Sequence, residues 1–522
     1  MARGKKNGNG NGAPITTGQR LGSLLKSCRD TMRKDKGLNG DLDRLPQLTW
    51  LLFLKFLDDL EQQDEVKATL GAEAYFPLIP APYRWRDWAV QADGITGDEL
   101  LAFINNDEAL LPNGRRGPGL FAKLRGLQGA EGGDRRDVIS RVFSGLSNRM
   151  INGYLIRDVI TKINEIHFSS SEEIHTLSGL YEGLLREMRD AAGDSGEFYT
   201  VRPVVKLMVT VTDPKLGEVV LDPACGTGGF LVETFEHLKG QVKTTQDRDR
   251  LQRRTLFGGE AKSLPLLLCE MNMLLHGVEV PNIASGNSLA VKLTEIGDKD
   301  RVDVILTNPP FGGEEEDAIK GGFPRDMQTS ETALLFLQLI MRKLRRTPRP
   351  GRAAVVVPNG TLSGDSVCAR IKEQLLKEFN LHTIVRLPNG VFAPYTPIPT
   401  NLLFFDRTGP TKEVWYYEHP VPEDRKTYTK TKPLRYEEFE PLLAWWPRRQ
   451  ESDCTWKVGA ADVLKYDQAG NLLSCNLDIK NPRTAADVEG RSPQELVQSI
   501  LDKERQILGL MEEVAVVLGG PA

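Results

Sequence analysis

The chain has no run of about 20 apolar residues of the kind that crosses a bilayer. Its densest apolar stretch, around Leu51, is broken by Lys55. No hydrophobic segment follows the basic start Met1-Ala2-Arg3-Gly4-Lys5-Lys6, so no secretory signal and no membrane association are expected. Cysteine is scarce: six are scattered without a CxxC pair, which excludes a disulfide framework and points to a reducing compartment. The six histidines are dispersed and no HExxH occurs, so a metal centre is not expected. The absence of a G-x-x-x-x-G-K-[ST] loop argues against an ATP-driven motor. These absences lead to an expectation of a cytoplasmic protein.

An excess of positive charge is also missing. With 67 basic and 71 acidic residues the formal charge is −4, whereas a protein that binds DNA alone commonly carries a basic face. Basic residues do cluster at Arg248, Arg250, Arg253 and Arg254, and again at Arg342, Lys343, Arg345, Arg346 and Arg349. Such clusters suit solvated helix faces, but the overall balance also suits a subunit that borrows DNA affinity from a partner.

At 522 residues the chain exceeds one compact core. Residues 1–14 are Gly/Asn-rich and read as a disordered tail. Residues 15–190 carry helical stripes, among them Leu21, Leu24 and Leu25, and the dense segment Leu48 to Leu60. Residues 191–410 alternate strands with helices, which predicts a doubly wound α/β sheet. The expected strands are Val219–Leu221, Thr255–Gly258, Val302–Leu306, Ala353–Val357 and Thr383–Arg386. Asn401–Phe405 follows a Pro-rich loop and is expected to return as an antiparallel edge. Residues 411–522 form a mixed C-terminal region. It ends in an amphipathic helix near 493–518, whose stripe of Leu496, Ile500, Ile507, Leu510 and Met511 suits a partner or its own domain.

Two motifs carry chemistry. Val302 to Leu306 is a buried-strand pattern that runs into Asn308-Pro309-Pro310-Phe311, where two prolines end any ladder. The strand end then offers one amide, two rigid carbonyls and one ring. That set can accept two hydrogen bonds from a planar amine and stack on its ring, as for a nucleobase with an exocyclic NH2. Upstream, Val219-Val220-Leu221 leads into Asp222-Pro223-Ala224-Cys225-Gly226-Thr227-Gly228-Gly229, and a helix follows. Strand, glycine turn and helix form the cofactor corner of a doubly wound sheet. Leu231 stands where a dinucleotide fingerprint needs glycine, so a nicotinamide site is a poor match. Cys225 lies in this turn and not at the base motif, and it reads as a small buried residue, not a nucleophile.

These motifs resemble the S-adenosylmethionine-dependent amino-methyltransferases of DNA. Gly196-Glu197-Phe198-Tyr199-Thr200-Val201-Arg202-Pro203 looks like that family's additional cofactor segment, with Val201 where proline is frequent. The order of segment, glycine turn and Asn-Pro-Pro-Phe matches the gamma arrangement. With Leu48-Thr49-Trp50-Leu51-Leu52-Phe53 and Asn476-Leu477-Asp478-Ile479-Lys480-Asn481-Pro482, nearly the whole chain resembles the modification (M) subunit of type I restriction-modification systems.

The resemblance implies a Rossmann-like methyltransferase sheet behind an α-helical N-terminal domain and ahead of a C-terminal helical tail. It implies N6-adenine methylation of double-stranded DNA with S-adenosyl-L-methionine, using Asn308, Pro309, Pro310 and Phe311 on a flipped base. The cofactor's methionine end would lie against Asp222, Gly226, Thr227, Gly228 and Gly229, closed over by Glu197, Phe198, Tyr199, Thr200, Val201 and Arg202. Glu260 would accept the ribose hydroxyls and Asn287 would pair with the cofactor's adenine. Implied partners are a specificity (S) subunit, a second M subunit and a restriction (R) subunit. Alternatives are a stand-alone adenine-N6 or cytosine-N4 methyltransferase, and a non-catalytic nucleic-acid-binding adaptor.

Overall fold

In the computed structural model of the chain, the described residues are 17–483 except 72–73, 92–93, 130–134, 169–170, 192–198, 394–395 and 397, together with 501, 504, 505, 507 and 511. The N-terminal tail, the linker around 192–196 and most of the expected terminal helix lie outside them.

The N-terminal part is built from α1 (Thr17–Met32), α2 (Asp41–Leu70), the single turn α3 (Trp85–Trp88), α4 (Gly97–Asn105), α5 (Leu120–Arg125), α6 (Arg135–Ser144), α7 (Gly153–Ile163) and α8 (Ser171–Ala191). A small antiparallel hairpin, β1 (Glu108–Leu110) with β2 (Arg116–Pro118), interrupts them and has no strong pattern in the sequence. Helix α2 is buried all round from Gln47 to Asp58, mostly through apolar side chains, which places it inside the bundle. Its inward-facing charges are paired: Lys55 Nζ meets Asp59 at 2.5 Å, and Arg86 Nε meets Asp58 at 2.8 Å.

Helix α9 (Arg202–Thr212) leads into the second part. Its strands are β3 (Val220–Asp222), β4 (Leu256–Glu260), β5 (Ile283–Ser285), β6 (Val304–Thr307), β7 (Arg352–Pro358), β8 (Asn380–Arg386), β9 (Thr400–Asp406), β10 (Glu413–Glu418) and β11 (Thr455–Gly459). Among the intervening helices are α10 (Gly229–Lys239), α11 (Thr245–Arg250), α12 (Ser263–Leu275), α13 (Asp317–Lys320), α14 (Thr332–Lys343), α15 (Gly360–Ser363) and α16 (Val367–Glu378). The nine strands form one sheet in the order β11-β10-β8-β9-β7-β6-β3-β4-β5.

Alternation along the strands feeds two cores, as period-2 geometry requires. Val304 and Leu306 pack with α9, α10 and α12, while Ile305 packs with α14 and α16 on the other face. The expected doubly wound sheet is therefore present, with two differences. Strand β9 is antiparallel as expected, yet it is not an edge: it pairs with β7 on one side and β8 on the other. Residues 400–405 are buried, and a strand covered on both faces suits an interior position. The sheet also continues past residue 410, the expected end of the catalytic part, because β10 pairs with β8 and β11 with β10.

Helix α12 joins the two parts. Leu266, Cys269 and Met273 pack under the sheet, while Leu267, Leu268, Met271, Leu274 and Leu275 enter the N-terminal bundle.

Candidate active site

The chain leaves β3 toward β4 and β5 on one side, then returns to start β6 on the other. The gap between the carboxyl ends of β3 and β6 is the topological switch point, where open α/β sheets bind ligands. Asp222 ends β3 and Thr307 ends β6, and the Thr307 hydroxyl donates to Asp222 Oδ1 at 2.7 Å. This bond ties the glycine turn to the Asn308 motif. Burial pushes the Asp222 carboxyl up to about 7. It accepts a second bond from the Ala224 N–H at 3.2 Å and lies below the cleft.

The turn after Asp222 needs its glycines for two reasons. Gly226 and Gly228 hold φ of 52° and 78°, where side chains are strained. A Cβ on Gly228 would also meet Cys269 Sγ at 2.8 Å, and one on Gly229 would strike Arg202. Close approach of α12 and α9 thus accounts for Gly228 and Gly229. Thr227 is buried and its carbonyl accepts from Asn272 Nδ2 at 2.9 Å. Cys225 lies 3.8 Å from Cys269, and that contact with burial lifts its thiol well above the usual range. It is poorly suited to act as a thiolate.

A cleft of about 340 Å³ opens at the switch point, inside the range of about 300–1,000 Å³ typical for small ligands. Of the residues expected at a cofactor or base, Gly226, Glu260, Asn287, Asn308 and Pro310 line it. Glu260 is nearly buried; its Oε2 accepts from the Gly226 N–H at 3.0 Å and its Oε1 from the Lys262 N–H at 2.8 Å. Burial raises its carboxyl above the ordinary value. Donors from a diol would complete its acceptor capacity.

Asn308 stands at the inner end. Its Nδ2 donates to Thr200 Oγ1 at 3.2 Å, so its Oδ1 is turned away from Thr200, buried and without a hydrogen-bond partner. An unpaired buried acceptor in the lining of a cleft is costly unless a ligand donates to it. Pro309 is buried and Phe311 half-buried, with the Phe311 ring edge-on to Phe392 at 6.3 Å between centroids.

The segment ahead of α9 divides. Thr200 reaches Asn308, and Val201 is buried as the residue preceding α9. Tyr199 and Arg202 face a separate cavity between α8, α9 and α10. There Arg202 forms a two-point ion pair with Glu182, one bond at 2.8 Å. Burial opposes the Arg202 charge, but the Glu182 carboxylate holds its guanidinium protonated above the usual range. Glu197 and Phe198 lie outside the described residues.

The cleft also contains groups that the sequence reading missed. Glu315 accepts from Asn287 Nδ2 at 3.0 Å and lines the cleft, and Phe336 of α14 adds an apolar surface. The run Glu314-Glu315-Glu316, three residues past Phe311, was a usable signal for the first; nothing local marks Phe336. The segment Asn476 to Asn481 returns to the same edge of the sheet. Asp478 accepts from Asn359 Nδ2 at 3.1 Å and pairs with Arg386 at 2.7 Å.

Comparison with known proteins agrees with this fold. Residues 172–481 match the N-6 DNA Methylase family, and residues 21–112 match the HsdM N-terminal domain. The chain is 48% identical to the EcoEI methylase subunit of a type I restriction enzyme from Escherichia coli, over 96% of this chain and 98% of that one. Among solved structures, a modification subunit assigned to a type I restriction enzyme of Vibrio vulnificus superposes with a TM-score of 0.82 at 67% identity, covering 91% of this chain and 99% of that one. A chain from a type I R-M system solved to explain its complex assembly gives 0.76 at 40% identity, covering 97% and 99%. The chain belongs to the N-6 DNA methylase family and, within it, to the methylase subunits of type I restriction enzymes.

Proposed function

We propose that this chain moves the methyl group of S-adenosyl-L-methionine to N6 of adenine in double-stranded DNA. It acts as the modification subunit of a type I assembly with a specificity subunit, a second copy of itself and a restriction subunit. The observation that carries the reading is the buried, unpaired Oδ1 of Asn308 beside the cleft at the switch point.

Gly226, Glu260 and Glu315, the last held in place by Asn287, would hold the cofactor, which would supply an electrophilic methyl on a sulfonium. Adenine N6 is a poor nucleophile because its lone pair is delocalised into the ring. Its two N–H groups donating to Asn308 Oδ1 and the Pro309 carbonyl would favour a tetrahedral nitrogen, whose lone pair can point at the methyl. Transfer would form the N–C bond as the C–S bond breaks, with that electron pair going to sulfur and the surplus amine proton to solvent. Catalysis of this kind rests on positioning and preorganised acceptors. Thr200 fixes the Asn308 amide so that oxygen faces the amine. Phe311, with Phe392 at its edge, would stack on a base drawn out of the duplex.

The test is transfer of labelled methyl to DNA with and without the specificity subunit, followed by digestion to nucleosides. N6-methyladenine formed only in the pair is the expected result. Methyladenine from the isolated chain would overturn the dependence on a partner. Asn308→Ala should cut the rate at least about a hundredfold, the order of losing one preorganised transition-state contact, while cofactor affinity stays within about threefold. A variant with full activity would remove Asn308 from the chemistry.

A further inference from the structure

A cavity of about 580 Å³ lies at the opposite edge of the sheet from the cleft. Its walls come from the residues that begin strands: Val219 before β3, Arg254 before β4, Ile283 of β5, Arg301 and Val302 before β6, and Arg345 before β7. Its floor is apolar. On this face the core of α14 and α16 ends at β3, where Val219 and Leu221 are only partly buried, and Phe257 of β4 is half-buried. Val138 and Arg141 of α6 close one side, so the cavity spans the helical bundle and the sheet.

The rim is cationic. Of its six basic residues, Arg301 is paired with Asp298 at 3.1 Å and Arg345 with Asp303 at 2.8 Å, while Arg141 reaches the buried Glu270 at 3.4 Å. Arg254, Lys299 and Lys343 form no ion pair among the described residues. The one acid in the lining, Asp300, has an oxygen committed to the Gly297 N–H at 2.9 Å. An apolar floor ringed by three unpaired cations is complementary to a protein segment that carries acidic residues around an apolar anchor.

Position narrows the occupant. A base that reaches Asn308 enters at the carboxyl ends of the strands, so the DNA undergoing methylation cannot touch a cavity at their amino ends. A subunit that holds that DNA belongs on the same side as the DNA. We propose that this cavity docks an acidic, apolar-anchored segment of the restriction subunit; the inference rests on the type I reading above.

The test uses the assembled methylase, this chain with its specificity subunit, titrated with restriction subunit. The triple variant Arg254→Glu, Lys299→Glu, Lys343→Glu should weaken restriction-subunit binding about tenfold, the combined order of three exposed charge pairs. The same variant should flatten the salt dependence of that binding. Methylation and target-DNA affinity should be unchanged, because none of the three residues lines the cleft. Phe257→Ser should weaken the restriction subunit without altering the salt dependence. Unchanged restriction-subunit affinity overturns the inference, as does loss of DNA or of specificity-subunit binding in its place. An unmutated assembly that fails to methylate would instead reject the underlying reading.

Discussion

The side chain of Asn287 has little left to offer a ligand. Its Oδ1 accepts from the Leu289 N–H at 2.9 Å, and its Nδ2 donates to Glu315 at 3.0 Å. Glu315 keeps acceptor capacity on the cleft wall, where the cofactor's amino-purine would lie under the proposed reading. Glu315→Ala is expected to raise the cofactor dissociation constant about tenfold or more, the order of one hydrogen bond to a charged group. Asn287→Ala should produce a smaller rise by freeing Glu315 to turn away. Calorimetric titration with S-adenosylhomocysteine would measure both, and unchanged affinity in Glu315→Ala would dismiss its role. The pairing also shows what local sequence conveys. A Gly-Asn-Ser turn marks a polar group at a strand end, and Asn287 does line the cleft, but its partner lies 28 residues onward. Arg202 makes the same point: its position in a cofactor-like segment was legible, whereas its ion pair with Glu182 depends on how α8 crosses α9.

Helix α12 carries a charge into an apolar place. Glu270 is fully buried, Arg141 reaches only its Oε1 at 3.4 Å, and its Oε2 has no hydrogen-bond partner. Burial outweighs the arginine and pushes this carboxyl up to about 8. A raised carboxyl binds its proton more tightly in the folded state than in the unfolded one. The folded state therefore loses relative stability as pH rises from about 4.5 to about 8, by up to about 1.4 kcal/mol per unit. Glu270→Gln removes that titration. The difference in melting temperature, variant minus parent, should be small near pH 5 and grow steadily toward pH 8. A flat difference across that window would show that Glu270 is ionised throughout. At this scale the sequence was legible where pattern was local: the strands into Asp222 and Asn308 end within one residue of expectation, whereas the helix expected over Leu48 to Leu60 is only the middle of the longer α2. Strands β10 and β11 were not legible, since Glu413–Glu418 starts and ends on charge and both lie beyond a Pro-rich loop. Nor could the interior place of β9 be read, because strand order is set by pairing across the sheet and not by the strand's own residues.

At the scale of the whole molecule the helical bundle and the sheet are expected to unfold as one thermodynamic object, because α12 contributes to the cores of both. Five apolar residues of α12 belong to the N-terminal core, and the Arg141–Glu270 pair crosses the same boundary. Separating the parts would expose the face formed by Leu267, Leu268, Met271, Leu274 and Leu275, with each large side chain worth about 1.5–3 kcal/mol of burial. Ending the chain at residue 410 would remove β10 and β11 and leave β8 with an open edge, a template for association. The full chain should accordingly melt in a single transition, with near- and far-ultraviolet signals coincident. Residues 199–483 alone and residues 17–410 alone should each aggregate or show no cooperative melt, whereas residues 17–483 should retain one. Independent folding of residues 199–483 would mean that the bundle is an appendage and that α12 is stable without it. Failure of residues 199–483 would tie stability to the same shared helix that lies under the glycine turn, so that damage to the bundle would reach that turn through Cys269 and Gly228.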